Sequence, residues 1–116
     1  ATAAARSPLS RVHTVPLQTL EVVTSDVAPP LVILHGLFGA ARNFLGFSTL
    51  LSKQLRRPRR IIMVDLRNHG RSAHSDTMSY EEMAADVLGL LRERGIGRCA
   101  LIGHSMGGKV AMVLAL

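Results

Sequence analysis

The chain has 116 residues, 47% of them hydrophobic, and a formal net charge of +6 at pH 7. A chain of this length forms one domain or part of one, and it contains no apolar run near the roughly 20 residues that a membrane-spanning helix needs. A nucleic-acid partner is not expected, because aromatic residues make up only 3% of the chain and the basic residues are scattered apart from the cluster at 56–60.

The first twenty residues contain no acidic residue and combine Arg6 and Arg11 with serines and several alanines. This composition is typical of an organellar transit peptide. We therefore interpret residues 1–16 as a disordered arm or the remnant of a targeting segment. A mitochondrial protein is expected, with the plastid and the cytoplasm as alternatives. Residues 17–116 are expected to form the folded part of the chain.

Short apolar runs alternate with longer amphipathic stretches from residue 17 onward, which is typical of βαβ units around a mostly parallel sheet. The predicted strands are 17–23, 31–34, 61–64 and 99–102. The last of them begins at Cys99, the only cysteine of the chain. We expect a buried strand residue there and no metal site, because no CxxC sequence or Cys/His cluster surrounds this cysteine.

Three helices are predicted between and after these strands. Residues 43–55 have helical spacing, with four apolar side chains on one face: Phe44, Phe47, Leu51 and Leu55. Ser79 followed by Glu82 is a capping box for a second helix. The residues of that helix expected to face inward are Tyr80, Met83, Ala84, Val87, Leu90 and Leu91. A third helix is predicted from Met106, and because it carries no capping Gly, Asn or Pro at 113–116, the chain is expected to end inside a domain.

The strongest functional signal is the pentapeptide Gly103-His104-Ser105-Met106-Gly107, a G-x-S-x-G sequence between a predicted strand and a predicted helix. A serine on such a sharp turn has a strained backbone, and small residues two positions to either side let the strand and the helix approach. Ser105 is therefore the candidate nucleophile. The Met106 N–H, at the start of the helix, is a candidate oxyanion donor. A glycine-rich turn without catalysis is the alternative at this point.

A second loop, His35-Gly36-Leu37-Phe38-Gly39, directly follows the second predicted strand. A loop in this position supplies another backbone N–H to the same oxyanion. Leu37 is the first candidate for that donor and Phe38 the second. His35 is expected to hold the loop by hydrogen bonds rather than to act as a base.

The third motif is the octapeptide Asp65-Leu66-Arg67-Asn68-His69-Gly70-Arg71-Ser72. With it, the chain resembles α/β-hydrolases of the serine-esterase branch, in which the sequences HG-x-x-G, D-x-R-x-x-G-x-S and G-H-S-M-G-G occur in this order. The details are most similar to mitochondrial esterases of the abhydrolase-domain-eleven type and to bacterial YbfF-like esterases. The resemblance implies the N-terminal part of an α/β-hydrolase fold, with a mostly parallel sheet and flanking helices, truncated after the helix that follows the nucleophile.

The resemblance also implies a reaction and residue roles. Ser105 would be the acylated nucleophile, with Leu37 and Met106 as backbone oxyanion donors. The substrate would be a small-molecule carboxylic ester or thioester, hydrolysed through an acyl-enzyme without a cofactor or a metal. Residues bracing the loop would be Asp65, Arg67 and His69. For His69 and His74, an interpretation as solvated loop histidines is equally open.

The catalytic triad of this fold runs Ser, then Asp or Glu, then His along the chain. All five histidines precede Ser105, and the adjacent His104 is a poor substitute because the turn directs neighbouring side chains apart. The 116-residue chain is therefore expected to lack the triad acid and histidine and to be inactive alone. The resemblance also implies that the strand at 99–102 lies mid-sheet in the complete fold, so the chain alone is expected to expose an apolar edge and to dissolve poorly.

Two other classes of function remain open. Gly103, Gly108 and Lys109 match the G-x-x-x-x-G-K phosphate loop of nucleotide-binding proteins, although Val110 stands where that loop needs Ser or Thr for Mg²⁺. In the esterase interpretation, Lys109 is a surface lysine. A non-catalytic binding fragment is the third class, because the triad acid and base are missing.

Overall fold

The computed structural model describes Leu9 and residues 12–116. In this part of the chain, four strands form one mixed sheet with helices on both of its faces. The strands are β1 (Thr19–Val22), β2 (Leu31–Leu34), β3 (Ile61–Val64) and β4 (Ala100–Gly103). The helices are α1 (Leu45–Gln54), α2 (Tyr80–Glu93) and α3 (Met106–Ala115), and a 3-10 turn at Ala41–Phe44 leads into α1.

Strands β2 and β3 form the centre of the sheet, whose strand order is β1-β3-β2-β4. β2 runs parallel to β3 and to β4, and β1 runs antiparallel to β3. Every residue of β2 and β3 is buried, as fully apolar strands with helices on both faces should be. Because Leu34 pairs with Gly103 at the carboxyl ends of β2 and β4, the loops after these two strands leave the sheet at the same edge.

Each face of the sheet packs against its own hydrophobic core. The core on the side of α2 and α3 includes Val32, Leu34, Ile62, Val64, Met83, Val87 and Val110. The core on the side of α1 includes Leu31, Ile33, Ile61 and Met63, with Leu51 and Leu55 packed against it. Odd and even residues of each strand thus enter opposite cores, as the pleat requires. The predicted architecture, a mostly parallel sheet with flanking helices, is confirmed.

The prediction for the buried face of α1 was partly wrong. Phe44 and Leu51 pack on the core, but Phe47 is 48% exposed and Ser48 is buried in its place. At about 100° of rotation per residue, Ser48 lies about 40° and Phe47 about 60° from the mean direction of Phe44, Leu51 and Leu55. Ser48 is therefore the more central residue of this face, and Phe47 lies at its edge.

Two further predictions of burial were wrong. Tyr80, expected to face inward from α2, is 39% exposed, because it is the first residue of the helix and its ring lies beside Lys109 at the surface. Cys99, expected to be a buried strand residue, precedes β4 and is half-buried. Strand pairing starts one residue later, where the Ala100 N–H donates to the Pro30 carbonyl. Partial burial raises the pKa of the Cys99 thiol.

The first strand is shorter than the predicted range 17–23, because only Thr19–Val22 pairs with β3. Leu17 lies outside the strand but is buried in the core. The arm predicted for residues 1–16 falls mostly outside the described residues. Of its described part, Val15 packs against the core and its N–H donates to the Asp86 carboxylate. The domain boundary at residue 16 stays a prediction.

Candidate active site

Ser105 lies on a tight turn between β4 and α3. Its backbone has φ +53° and ψ −115°, a left-handed region that non-glycine residues seldom occupy and that stores strain where function uses it. Only His104 and Ser105 separate the last residue of β4 from the first residue of α3. The Ser105 side chain is exposed at the edge of the sheet.

The glycines around Ser105 let β4, α3 and the neighbouring β2 come together. A Cβ atom on Gly103 would overlap the Gly107 carbonyl, and a Cβ atom on Gly107 would overlap the Leu34 carbonyl. Gly108 has more room, since its Cβ would lie 3.3 Å from the Gly103 oxygen. The close approach expected for the two glycines of the pentapeptide is present in the backbone.

The turn after β2 lies against this serine. A Cβ atom on Gly36 would lie 3.4 Å from the Ser105 Cβ and 3.0 Å from His104 Nδ1. Residues 36–39 form a β-turn closed by a 2.9 Å hydrogen bond from the Gly39 N–H to the Gly36 carbonyl. Phe38, at the third position of this turn, has φ +63°, which is the pattern of a type II turn. The structure therefore brings together the two loops that the sequence paired.

The backbone N–H groups of the two loops differ in their hydrogen bonding. The Phe38 N–H donates to His69 Nε2 at 3.1 Å. In the described part of the chain, the N–H groups of Leu37 and Met106 have no acceptor. Leu37 and Met106 also line one cleft with Ser105. The N–H of Phe38, the second candidate donor, is thus already engaged.

His35 holds this turn from inside the protein. It is 1% exposed, its Nε2 accepts from the Leu66 N–H at 3.0 Å, and its Nδ1 lies 2.7 Å from the Gly36 carbonyl. Because an amide N–H only donates and a carbonyl only accepts, the ring is neutral with its proton on Nδ1. Burial lowers the pKa of His35, which favours this neutral form. The expectation that His35 holds the loop by hydrogen bonds is confirmed.

His69 is not a solvated loop histidine, so that interpretation was wrong. Its side chain is buried beside His35, with 5.0 Å between the ring centroids. Besides accepting from Phe38, its ring has Nδ1 at 2.8 Å from the Arg67 carbonyl. The motif carries His69 into this position because the chain turns back at Asn68 and Gly70, both of which have positive φ. His74, in contrast, is exposed as that interpretation predicted.

The Asp65 carboxylate links the backbone at the start of the 3-10 turn to the backbone at the end of its own motif. Its Oδ1 accepts from the Ala41 N–H at 2.8 Å and its Oδ2 accepts from the Arg71 N–H at 3.2 Å. A Cβ atom on Gly70 would overlap the Asp65 carboxylate, so the glycine of the motif makes room for this acid. The bracing role expected for Asp65 is visible in these contacts.

Arg67 is fully buried and joins three segments of the chain. Its Nε and Nη2 donate to the two oxygens of Asp86 at 2.8 and 3.0 Å, and its Nη1 donates to Glu82 at 3.0 Å. Its Nη2 also reaches the His13 carbonyl at 3.3 Å. The hydrogen bond to Asp86 raises the pKa of Arg67. A hydrogen bond from Thr77, followed by one from the Ser79 backbone, lowers the pKa of Glu82 to about 2.

Asp86 is the residue of this region that sequence analysis missed. It is 1% exposed in α2, and it accepts from Val15 as well as from Arg67. A signal for it exists in the sequence, because Asp86 stands four residues after Glu82 and thus on the same helical face, between the apolar Ala85 and Val87. An acid on an inward face predicts a buried basic partner.

Residues 29–116 match the family model for the alpha/beta hydrolase fold. The chain belongs to the alpha/beta hydrolase family. Its sequence is 49% identical over 92 residues to the sn-1-specific diacylglycerol lipase ABHD11 of Xenopus laevis, covering 79% of this chain and 29% of that protein. It is 45% identical over 85 residues to the esterase YbfF of Escherichia coli, covering 73% of this chain and 32% of that protein.

A solved structure gives the same result for this alpha/beta hydrolase. A marine microorganism esterase superimposes with a TM-score of 0.80 at 37% sequence identity, over 88% of this chain and 37% of that protein. The matched part of the chain therefore covers 29% to 37% of the length of these relatives. The resemblance to esterases of the ABHD11 and YbfF types, read first from three short motifs, is confirmed over most of the chain.

The phosphate-loop interpretation of 103–109 has no structural basis in this alpha/beta hydrolase. Gly107, Gly108 and Lys109 are already helical, and the two residues between β4 and α3 leave no loop to surround a phosphate. Lys109 is exposed, as expected, and its Nζ lies 5.6 Å from the centre of the Tyr80 ring. Such a position is typical of a cation–π contact at a surface.

Three features that would suggest another chemistry or location are absent from the described residues. Among the described residues, no hydrogen bond joins His104 to Ser105. No group of three His, Cys, Asp or Glu side chains in Leu9 and 12–116 is arranged to hold a metal ion. Likewise, none of the helices in that part of the chain is long and apolar enough to pass through a bilayer.

Proposed function

We propose that the full-length enzyme carrying this chain is a serine esterase that hydrolyses carboxylic esters or thioesters through an acyl-enzyme. The observation that supports this most directly is the position of Ser105, which is exposed on a strained turn at the start of α3 and lines a cleft together with Leu37 and Met106. A strained turn that presents a hydroxyl group to a cleft is the arrangement of a nucleophilic serine in this fold.

In the proposed reaction, Ser105 Oγ loses its proton to a base and attacks the carbonyl carbon of the substrate. The carbonyl oxygen becomes an oxyanion that accepts hydrogen bonds from the N–H groups of Leu37 and Met106. Collapse of this intermediate expels the alcohol or thiol, which takes up a proton, and leaves an acyl group on the serine. Water then loses a proton to the base and attacks the acyl carbon; the bond to Ser105 Oγ breaks, the carboxylic acid leaves, and Oγ takes up the proton to restore the free hydroxyl.

The lining of the cleft supports an acyl group as substrate. The cleft has a volume of about 500 Å³, and the apolar side chains that line it besides Leu37 and Met106 include Met78, Tyr80 and Met83. Methionine side chains are flexible and fill irregular apolar space, so they adapt to acyl chains of different shape. The names of the relatives, a diacylglycerol lipase and an esterase, agree with a small-molecule ester as the substrate class.

The base and the acid are expected outside residues 106–116, which contain no His, Asp or Glu. In this fold both follow the nucleophile along the chain. We therefore propose that the 116-residue chain by itself is inactive towards esters.

We also propose that the protein is mitochondrial, because its first twenty residues contain no acidic residue. Import of a fluorescent protein fused to residues 1–20 into mitochondria would test this location.

Labelling with a fluorophosphonate tests the nucleophile. The full-length enzyme should be labelled once, at Ser105, and Ser105→Ala should abolish the label and lower kcat by a factor on the order of 10⁶. Ser52→Ala is the matched control, because Ser52 is a half-buried serine of α1 whose Oγ donates to the Thr49 carbonyl and which does not line the cleft. Labelling that persists in Ser105→Ala would contradict the proposal.

Replacing Leu37 tests the oxyanion donor. Leu37→Pro removes the N–H, yet proline suits the second position of a type II turn, so the backbone conformation is retained. Loss of one oxyanion donor lowers kcat by roughly 10²- to 10³-fold. The control Leu37→Ala keeps the N–H and removes only the side chain, so it should change KM more than kcat. Equal effects of the two variants on kcat would argue against Leu37 as a donor.

A further inference from the structure

Two imidazole rings hold the two peptide groups on either side of the Leu37 Cα. The first peptide group joins Gly36 to Leu37, and its carbonyl accepts from the Gly39 N–H at 2.9 Å and from His35 Nδ1 at 2.7 Å. In a trans peptide the C=O and N–H bonds point in opposite directions. Fixing the Gly36 carbonyl inside the protein therefore directs the Leu37 N–H away from it.

The second peptide group joins Leu37 to Phe38, and His69 holds it. The Phe38 N–H donates to His69 Nε2 at 3.1 Å, while His69 Nδ1 lies 2.8 Å from the Arg67 carbonyl. Since the first partner can only donate and the second can only accept, His69 is neutral with its proton on Nδ1. His35 has the same tautomer, and a flip of either ring would break its two hydrogen bonds.

Phe38 has little else to keep it in place. Its side chain is 91% exposed and its φ of +63° is unfavourable for a residue with a Cβ atom. The central peptide group of a β-turn flips when the turn changes between types II and I, and the change would relieve this φ. The hydrogen bond to His69 opposes the flip, because a flipped peptide group would present the Leu37 carbonyl to the ring in place of the N–H.

The His69 ring has a fixed support of its own. Its acceptor, the Arg67 carbonyl, belongs to a residue whose guanidinium is fully buried and bound to Asp86 of α2. The path from α2 to the turn thus runs through the buried ion pair, the Arg67 backbone and the His69 ring. Each link in this path is either one direct hydrogen bond or the covalent structure of one residue.

We infer that His69 is a positioning residue for the oxyanion hole: by holding the peptide group between Leu37 and Phe38, it fixes the C-terminal side of Leu37, whose N–H is available beside Ser105. The inference rests on the proposed function. It assigns His69 no contact with the substrate and no proton transfer. His35 acts on the preceding peptide group, so the two histidines together fix the direction of the donor.

The kinetic experiment uses the full-length enzyme with p-nitrophenyl butyrate, and fluorophosphonate titration counts active sites. His69→Ala should lower kcat per titrated site by about 10- to 100-fold, since small misplacement of a catalytic group has effects of this order, and leave KM within about twofold. His69→Gln should recover part of the loss, because its side-chain oxygen can accept from Phe38. His74→Ala, an exposed histidine of the same loop, should behave as wild type.

The outcomes separate the inference from the function on which it rests. A wild-type enzyme without esterase activity or labelling would overturn the proposed function. An active wild type with unchanged kcat per site in His69→Ala, or with an equal loss in the Ala and Gln variants, would overturn only the role of His69. A purely structural role would lower the number of titrated sites and leave kcat per site unchanged.

A second measurement on the wild type does not depend on any variant folding. The nitrogen chemical shifts of His69 at pH 7 should show an unprotonated Nε2 and a protonated Nδ1, and the Phe38 amide should exchange slowly with solvent although its side chain is exposed. A charged ring or a proton on Nε2 would overturn the inference, because Nε2 could then not accept from Phe38.

Discussion

Removal of the Asp86 charge should destabilise the protein more than any surface substitution. Both side chains of the Arg67–Asp86 pair are fully buried, and the pair has two hydrogen bonds of 2.8 and 3.0 Å. Asp86→Asn keeps the shape of the side chain but leaves the guanidinium with Glu82 as its remaining charged partner, at 3.0 Å. An uncompensated buried charge is expensive because it has lost its hydration.

Breaking a buried ion pair by removing one partner typically costs about 3–5 kcal/mol. We expect Asp86→Asn to lower the free energy of unfolding by about 3 kcal/mol, at the low end of that range, because the amide keeps one oxygen to accept from Val15 or Arg67. Urea unfolding followed by circular dichroism measures the change. Asp76→Asn is the matched control: Asp76 is exposed, and a surface substitution changes stability by less than about 0.5 kcal/mol.

A double substitution separates the charge from the packing. Arg67→Met with Asp86→Leu removes both charges and fills similar volume, so it should recover most of the stability that Asp86→Asn loses. A decrease of less than about 1 kcal/mol in the free energy of unfolding of Asp86→Asn, well below the range for a broken buried ion pair, would show that the Arg67–Asp86 pair is not shielded from water. A double variant no more stable than the single variant would also refute the reasoning.

Three further predictions concern the backbone, a titrating group and the sheet edge. Gly107→Ala should reduce stability and esterase activity together, because its Cβ would overlap the Leu34 carbonyl, whereas Gly89→Ala, with open space at its Cβ, should raise the urea midpoint slightly. The free energy of unfolding should fall as the pH drops below about 6.5. Burial lowers the pKa of His35, so below that pH the unfolded chain binds a proton that the folded chain does not, and above it the effect is absent. A His35→Gln variant whose stability has the same pH dependence would contradict this. The isolated 116-residue chain should associate in size-exclusion chromatography, because β4 pairs only with β2 in the described part of the chain and its other edge is open; a monodisperse monomer would contradict it.

The sequence by itself determined most of the elements and the position of the sharp turn that carries Ser105. Leu31–Leu34 and Ile61–Val64 are uninterrupted apolar runs, and such runs have one stable place, the centre of a sheet covered on both faces. The G-x-S-x-G pentapeptide is similarly informative, because glycines at 103 and 107 are required by contacts that any larger residue would prevent. Local rules suffice where local sterics decide the outcome.

Only the tertiary structure decided which polar groups meet. Arg67 and His69 lie in one motif, but their partners Asp86 and Phe38 lie in other segments. No spacing rule shows that His69 accepts from Phe38 or that Arg67 and Asp86 form a buried ion pair. The same holds for the choice of Leu37 over Phe38 as the free donor, which depends on a histidine 31 residues away. Hydrogen bonds between distant segments follow from how the sheet and helices pack, and that packing is a property of the whole chain rather than of any short stretch of it.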